Sequence, residues 1–413
     1  MDSLDRADAD LISKRAATVA IELLEPRRLL AAYAFNDLEA GIVKDIGVDG
    51  GVLGSWDLSV SLKIGVWHVG RRGRVGFTEL GGLKPSGAFG SFNLTEIDAN
   101  GLVSGQTEVG PGFTQQHAVV WAFTEGVGYL PIDLGTLSGS SASESGGMND
   151  LGHIVGNSAG HAFLSTLRRG VASTSDINSF APAGITLTAG HDINNSDAII
   201  GDGGPGGAGA FYLKPRKRGL FTFVQVGGLD NTNPDTTLNR LSNTGAAVGI
   251  SMSPATSTQH AILFRLDAIA GAQIITDLGV LPGGSSVAND ITDTGVIVGK
   301  STNSSAQSFG YIWRPRAKGR YTAVNLNTEV TLPAGWVITE ARGINEAGQI
   351  AVNALDASQH PRAMLLTPIA VAQPAIARPA AALPTHAPSN VATPFLAQPP
   401  EDAVWNDQAT LFA

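Results

Sequence analysis

The sequence predicts an all-β protein, a β-propeller of seven blades made of antiparallel strands. Three observations carry this prediction. A short segment recurs about seven times, each copy holds several short apolar runs, and clusters of Gly, Ser, Asn and Asp separate those runs. A period of about 40 to 50 residues with four strands in each copy is typical of propellers, so the repeat decides the fold.

The recurrent segment is an apolar strand end, a tight turn and a second apolar strand. Residues 148–156 and residues 291–299 share an apolar first residue, a turn that begins with a polar residue and ends in Gly, and an apolar run that ends in Val-Gly. The copies begin at Phe35, Ile97, Met148, Ile193, Leu241, Ile291 and Ile344. From residue 97 onward the starts are 51, 45, 48, 50 and 53 residues apart. Spacing this regular indicates one structural unit per copy.

Each unit has four apolar parts, and each part has the length of a strand. In one copy they are residues 133–137, 148–152, 153–156 and 161–164. None of these runs is long enough to form a helix. Four short strands per copy are therefore expected.

Tight hairpins are predicted between the second and third parts. The turns start with Asn, Asp, Ser or Thr, which can cap its own turn, and carry Gly in the fourth position, where a positive φ is usual. Examples are residues 98–101, 149–152 and 292–295. In residues 194–197 the Gly is replaced by Asp, which tolerates the left-handed conformation. The core is expected at Ile97, Val103, Trp121, Leu134, Ile154, Val155, Phe163, Ile199, Phe211, Val248, Leu263, Leu278, Ile297, Val298, Trp313 and Ile344.

A second set of turns is basic. Turns of a meander alternate between its two faces, so these turns should share a face with the Asn-x-x-Gly turns. They hold 13 of the 27 basic residues: Arg71, Arg72, Arg74, Arg168, Arg169, Lys214, Arg216, Lys217, Arg218, Arg314, Arg316, Lys318 and Arg320. The opposite face is expected to carry longer polar loops, where scaffolds of this kind usually place function: 106–116, 138–147, 250–259, 282–288 and 300–308.

Two flanks lie outside the repeat region of 35–368. Residues 369–413 are rich in Pro and Ala and are expected to be an unstructured tail. Residues 1–34 allow two interpretations. They are a degenerate export signal, or residues 17–24 supply a fourth strand that the last unit lacks and so close the ring.

Composition excludes several classes of protein. The net charge of −9 disfavours nucleic acid and anionic membranes as partners. No apolar stretch approaches the ~18 residues of a membrane span. The absence of cysteine excludes disulfides, thiolate catalysis and Cys-based zinc sites.

These residues resemble the HAF repeat of bacterial extracellular proteins, with its Asp-Leu-Gly-x-Leu, Ile-Asn-x-x-Gly-x-Val-Val-Gly and His-Ala-Phe-Leu-Trp parts. Residues 133–164 and 277–313 match best. In addition, residues 24–30 resemble the Leu-Glu-Pro-Arg-x-Leu-Leu segment of large bacterial surface proteins. The resemblance implies an extracellular or cell-surface location, and it implies no established chemistry.

The motifs that suggest chemistry have structural interpretations. Ser158 lies in a Gly-x-Ser-x-Gly pattern, but a hydrolase elbow joins a strand to a helix, whereas this one joins two strands. Lys300 and Ser301 lack the first Gly of a phosphate loop and a following helix. His117, His161 and His260 begin equivalent strands, where they could converge on a channel metal or cap loops, and the sequence favours caps.

A loop at residues 230–235 has oxygen ligands in the spacing of a calcium site but lacks that site's Gly and Glu, so an Asx-turn loop is the default interpretation. The basic turns could bind an acidic polysaccharide, although solvated edges explain them as well. No catalytic, cofactor-binding or metal-binding residue is therefore predicted, and no cofactor.

We expect a non-enzymatic extracellular scaffold, monomeric, that binds a polysaccharide or a surface protein. The alternative is a carbohydrate-active enzyme, a hydrolase or a lyase, with carboxylates in the central channel. Such an enzyme needs two carboxyl groups about 5 to 9.5 Å apart across a cleft. Asp98, Asp150 and Asp293 lie in predicted hairpin turns at the rim, which disfavours catalysis. A third hypothesis is an intracellular scaffold.

Overall fold

The structure consists of β-strands joined by turns and short 3-10 helices. This computed structural model describes residues 33–57, 62–81, 92–109, 115–229, 235–267 and 271–369. The terminal segments 1–32 and 370–413, which include nearly all of the expected tail, lie outside the described residues. The 3-10 helices are Arg71–Gly73, Asn178–Phe180, Lys217–Gly219, Ala317–Gly319 and Leu326–Thr328.

The described strands number 27. The first twelve are β1 Tyr33–Ile46, β2 Val52–Asp57, β3 Leu62–Val69, β4 Val75–Glu79, β5 Phe92–Ile97, β6 Val103–Val109, β7 Gln115–Thr124, β8 Gly128–Asp133, β9 Ser143–Met148, β10 His153–Ser158, β11 His161–Arg168 and β12 Val171–Asp176. The next eight are β13 Ile185–Ile193, β14 Ile199–Pro205, β15 Ala210–Pro215, β16 Phe221–Val226, β17 Thr236–Leu241, β18 Ala247–Met252, β19 Gln259–Leu266 and β20 Gln273–Asp277. The last seven are β21 Ser286–Ile291, β22 Ile297–Thr302, β23 Ser308–Pro315, β24 Tyr321–Asn325, β25 Val337–Ile344, β26 Ile350–Leu355 and β27 Pro361–Pro368.

The strands form antiparallel meanders arranged as a β-propeller, which confirms the predicted fold class. Five sheets have four strands each, and a sixth has seven strands in the order β25-β26-β27-β1-β2-β3-β4. Because β1 pairs with β27 through its first half and with β2 through its second, this sheet divides into two four-stranded units. We number the resulting units 1 to 7 in chain order, with β1 shared. The first strand of each unit contacts the first strand of the next, and β25 contacts β1, so the ring is closed.

Residues 33–40 supply the outermost strand of unit 7. They pair with β27 from Tyr33 opposite Pro368 to Ala40 opposite Arg362. At Glu39 the backbone adopts a φ of 81°. The chain then continues as the first strand of unit 1, and the first strand of every unit is the innermost one, next to the central channel. The position for which residues 17–24 were expected is therefore filled by residues 33–40. Residues 17–24 themselves lie outside the described part of the chain.

The predicted Asn-x-x-Gly hairpins join the first and second strands of the units. In the turn of unit 3 the Asn149 side chain accepts hydrogen bonds from the backbone N–H groups of Leu151 and His153, at 3.1 and 3.0 Å. Gly152 has a φ of 76°, and Asp197 replaces Gly in the equivalent position of unit 4 with a φ of 61°. Only residues that tolerate the left-handed region fit there.

A glycine that follows Val in the second strand of a unit, such as Gly156 in unit 3 and Gly299 in unit 6, allows this strand to approach the first. A Cβ atom on Gly299 would lie 2.0 Å from the carbonyl oxygen of Val287, and one on Gly156 would lie 2.0 Å from that of Glu144. The innermost strands carry a register shift close to these positions. Around this contact pack the apolar residues of both strands. Every residue of the predicted core is buried.

Two sequence-based assignments need correction. The Asp-Leu-Gly part ends the outermost strand of one unit instead of opening the next, as Asp133 at the end of β8 illustrates. The polar loops are shorter than expected because their ends pair as strands, for example residues 143–147 in β9 and residues 300–302 in β22.

Candidate functional site

The innermost strands bring one residue from each unit to the central channel. This residue is the second-last of the strand, between a bulge and the Asn-x-x-Gly turn. The ring consists of Asp45, Glu96, Gly147, Asp192, Arg240, Asp290 and Gly343. Four acids and one arginine thus converge on one level of the propeller.

Arg240 lies among the carboxylates of three other units. Its Nη2 is 3.1 Å from Asp45 Oδ1, its Nη1 is 2.9 Å from Glu96 Oε1, and its Nε is 3.4 Å from Asp290 Oδ1. The side chains of Arg240 and Glu96 are 14% and 15% exposed, more than those of Asp45 and Asp290. The cluster is therefore nearly buried, with Glu96 and Arg240 accessible.

Each acid also joins its unit to the following one. The backbone N–H of Ile97 donates to Asp45, that of Met148 to Glu96, that of Leu241 to Asp192 and that of Ile344 to Asp290, at 2.7–3.1 Å. At the two channel positions occupied by glycine, the missing side chain leaves room for the acid of a neighbouring unit. A Cβ on Gly147 would lie 2.6 Å from Asp192 Oδ1, and one on Gly343 would lie 2.8 Å from Asp45 Oδ1.

The Asn-x-x-Gly turns surround the mouth of the channel and bond to one another. The backbone N–H of Asp150 donates to the Asn195 side chain, that of Asn195 to Asn243, that of Asn243 to Asp293 and that of Asp293 to Glu346, at 2.6–2.9 Å. Between them lies a depression of about 160 Å³, which has Glu96, Arg240 and Asp290 among its lining residues. Its walls carry carboxylate, amide and hydroxyl groups.

Burial makes several of these carboxyl groups hard to ionise. Desolvation raises the pKa of Asp290 to about 7 and that of Asp192 to about 6, against the opposing effect of Arg240. Desolvation also raises the pKa of Glu96 well above its usual range. At the turn, burial raises the pKa of Asp98 to about 6. The channel therefore holds carboxyl groups that can donate a proton near neutral pH.

Ser158 has a structural role, as the sequence predicts. It is buried, donates to the carbonyl of Ala142 at 2.8 Å and accepts the N–H of Leu137 at 3.0 Å. Ser301 accepts the N–H of Leu281 in the same way, at 3.0 Å. Both serines end a Val-Gly-x-Ser segment of the second strand, and each thus anchors the loop that follows the Asp-Leu-Gly part.

The three strand-initial histidines lie away from the channel, each beside an acid of the outermost strand. His117 Nδ1 is 3.0 Å from Asp133, and His161 Nδ1 is 2.7 Å from Asp176. His260 Nδ1 is 2.8 Å from Asp277. They do not converge on a channel metal. Among the described residues no group of three or more His, Asp or Glu side chains could hold a metal ion.

The basic turns lie on the face that carries the channel mouth, because turns of a meander alternate between its two faces. Most of their described side chains are exposed, but Arg314 is partly buried and pairs with Glu329 at 3.0 Å.

Residues 230–234 of the possible calcium loop lie outside the described residues. The described part of the chain contains no helix long and apolar enough to cross a membrane.

The four channel acids were missed because only acids in turns were considered. The signal was present in the repeat, since the residue before the apolar strand end is acidic in Asp45, Glu96, Asp192 and Asp290. Side chains alternate along a strand. A residue next to a core isoleucine must therefore point away from the core, which in the innermost strand means toward the channel.

No family model matches the chain, and no curated protein matches it. The chain is similar to solved structures at low identity. The β-propeller domain of the trilobed protease from Pyrococcus furiosus is 9% identical with a TM-score of 0.45, over 79% of this chain and 93% of that one. The periplasmic gluconolactonase of Pseudomonas aeruginosa is 13% identical with a TM-score of 0.35, over 81% and 97%. An ancestral GH74 enzyme is 12% identical with a TM-score of 0.39, over 81% of this chain and 48% of that one.

The named proteins are enzymes or a domain of one, and the expectation that this protein is not an enzyme is corrected. The physical ground for that expectation was wrong. Acids are not confined to the hairpin turns, since four of them line the channel around Arg240. Identities this low concern the fold, so none of those activities is assigned to this chain from the likeness.

Proposed function

We propose that the protein is a carbohydrate-active enzyme, a hydrolase or a lyase, whose site is the channel mouth. The observation that carries the proposal is the cluster of protonatable carboxyl groups around Arg240, at the floor of an open polar depression. Glycoside cleavage needs one carboxyl group that holds a proton at working pH and a second carboxylate beside the scissile bond. Glu96 is our candidate for the proton donor. Asp290, whose pKa is raised to about 7, is our candidate for the second group, which supplies a carboxylate above that pH.

Glu96 fits the role of proton donor. Burial raises the pKa of its carboxyl group, and its side chain keeps contact with the depression. Arg240 holds Glu96 and Asp290 through different nitrogens of one guanidinium group. A rigid planar group that bonds to both acids would keep their spacing constant during catalysis.

The walls of the depression support a sugar as substrate. Asp150, Asn195, Asn243, Asp293 and Glu346 present carboxylate and amide groups, which can bond to sugar hydroxyls. Their hydrogen bonds to the neighbouring turns orient them before a ligand binds. We also propose a location outside the cell, supported by the HAF resemblance and residues 24–30.

The test is cleavage of a panel of neutral and acidic polysaccharides, followed by the release of reducing ends and by the ultraviolet absorbance of unsaturated products. The second signal identifies a lyase. We expect Glu96→Gln and Asp290→Asn to reduce cleavage by about 100-fold or more. Asp176→Asn, far from the channel, is the matched control and should retain the wild-type rate. No cleavage by the wild type, or equal rates in all variants, would refute the proposal.

A further inference from the structure

The hairpin between β18 and β19 and the end of β20 bring a hydroxyl, an imidazole and a carboxylate into one hydrogen-bonded chain. Thr256 Oγ1 is 2.9 Å from His260 Nε2, and His260 Nδ1 is 2.8 Å from Asp277 Oδ2. These are the contacts by which a base activates a hydroxyl nucleophile while a third group orients the base. The hairpin lies on the face opposite the channel mouth, so the two sites are independent.

We propose that Thr256 is an activated nucleophile that takes acyl groups from small carboxylic esters. His260 acts as its general base, and Asp277 is a positioning residue. Thr256 is exposed in its hairpin, whereas His260 is only 5% exposed, so the nucleophile is open to small substrates and the base is not.

The direction of each hydrogen bond follows from the chemistry of the groups. A carboxylate only accepts, so Asp277 requires the N–H of His260 at Nδ1 and leaves Nε2 free to accept from Thr256. Asp277 is itself held through its other oxygen, which accepts the N–H of Gly279 at 2.8 Å. With Thr256 donating to His260, the hydroxyl of Thr258 donates to Thr256 at 2.9 Å.

The equivalent histidines provide an internal comparison. His161 and His117 make the same contact to an acid of the outermost strand, at 2.7 and 3.0 Å. The hydrogen bonds found for their rings include none from a hydroxyl group. The His–Asp pair is thus a repeated element of the fold, and unit 5 adds a hydroxyl to it.

The reaction balances without a cofactor. Thr256 Oγ1 bonds to the ester carbonyl carbon as its proton passes to His260 Nε2, and the C–O bond to the alcohol breaks as that proton leaves with the alcohol. Water then gives a proton to His260 and its hydroxyl to the acyl carbon. The carboxylic acid departs, and the proton returns to Thr256.

The test is the rate of labelling by an alkyl fluorophosphonate, with peptide mass spectrometry to locate the adduct. In this reaction the Thr256 oxygen replaces fluoride on phosphorus, and His260 takes the proton. We expect one adduct on Thr256, none with Thr256→Val, and a labelled residue 256 again with Thr256→Ser. Asp277→Asn should slow labelling about 100-fold.

Two controls separate chemistry from structure. Asp176→Asn alters the equivalent pair in unit 3 and should label at the wild-type rate. Urea unfolding of Asp277→Asn should show a folded protein. An unlabelled wild type, an adduct on another residue, or equal labelling of Asp277→Asn and the wild type would each overturn the proposal.

Discussion

Replacing Arg240 with methionine tests the role of the channel cluster in stability. The change removes the positive charge that contacts Asp45, Glu96 and Asp290 at 2.9–3.4 Å and leaves these acids facing one another. Removing one partner of a buried ion pair typically costs about 3–5 kcal/mol. Since Arg240 keeps 14% exposure, we expect a loss near the lower end of this range, about 3 kcal/mol, in the free energy of unfolding.

The pH dependence of this loss is the sharper test. Without Arg240 the pKa values of the acids rise further, so the folded state retains protons that the unfolded chain has released. The folded state is then penalised more at pH 8 than at pH 5. Urea titrations followed by the fluorescence of the buried Trp67, Trp121 and Trp313 would measure both losses.

Two further variants complete the experiment. Asp290→Asn in the Arg240→Met background removes one unpaired carboxylate and should recover part of the loss at pH 8. Arg316→Met removes an exposed arginine and should change stability by less than about 0.5 kcal/mol. A loss for Arg240→Met below about 1 kcal/mol, or one of equal size at both pH values, would refute the electrostatic reasoning.

Further predictions concern the channel acids, the packing of Gly299 against the first strand of its unit, and the closure of the propeller. The pKa of Asp290, raised to about 7, predicts that stability falls as pH rises from about 4 to about 7, and urea titrations of Asp290→Asn should show a smaller decline. Gly299→Ala should lower the free energy of unfolding by about 1–3 kcal/mol because its Cβ meets the Val287 carbonyl, whereas Gly76→Ala, with open space around its Cβ, should be nearly neutral. Leu38→Ala, in the strand that closes the ring, should cost about 2–5 kcal/mol in the same assay. Deleting residues 1–30 should leave the thermal midpoint unchanged because residues 33–40 already fill the closing position, and a sharp fall would show that residues 17–24 add to the closure.

The repeat by itself determined the fold class and the core. Turn chemistry repeats at intervals of 45 to 53 residues, and apolar residues recur at fixed offsets from each turn, so the core residues could be named one by one. Ser158 could be judged structural for the same reason, because Ser251 and Ser301 occupy its position in other copies. Local propensity and periodicity decide features of this kind.

Only the tertiary structure decided which residues meet across units. Asp45 and Arg240 are 195 positions apart in the chain and come within 3.1 Å because both innermost strands face one channel. The pairing of residues 33–40 with β27 likewise joins the two ends of the propeller. The Thr256–His260–Asp277 chain depends on the register of β19 against β20. A repeat specifies the structure of each unit, whereas contacts between units arise only when the propeller closes. Residues that differ among the copies at equivalent positions are then brought together, and these residues form the candidate sites.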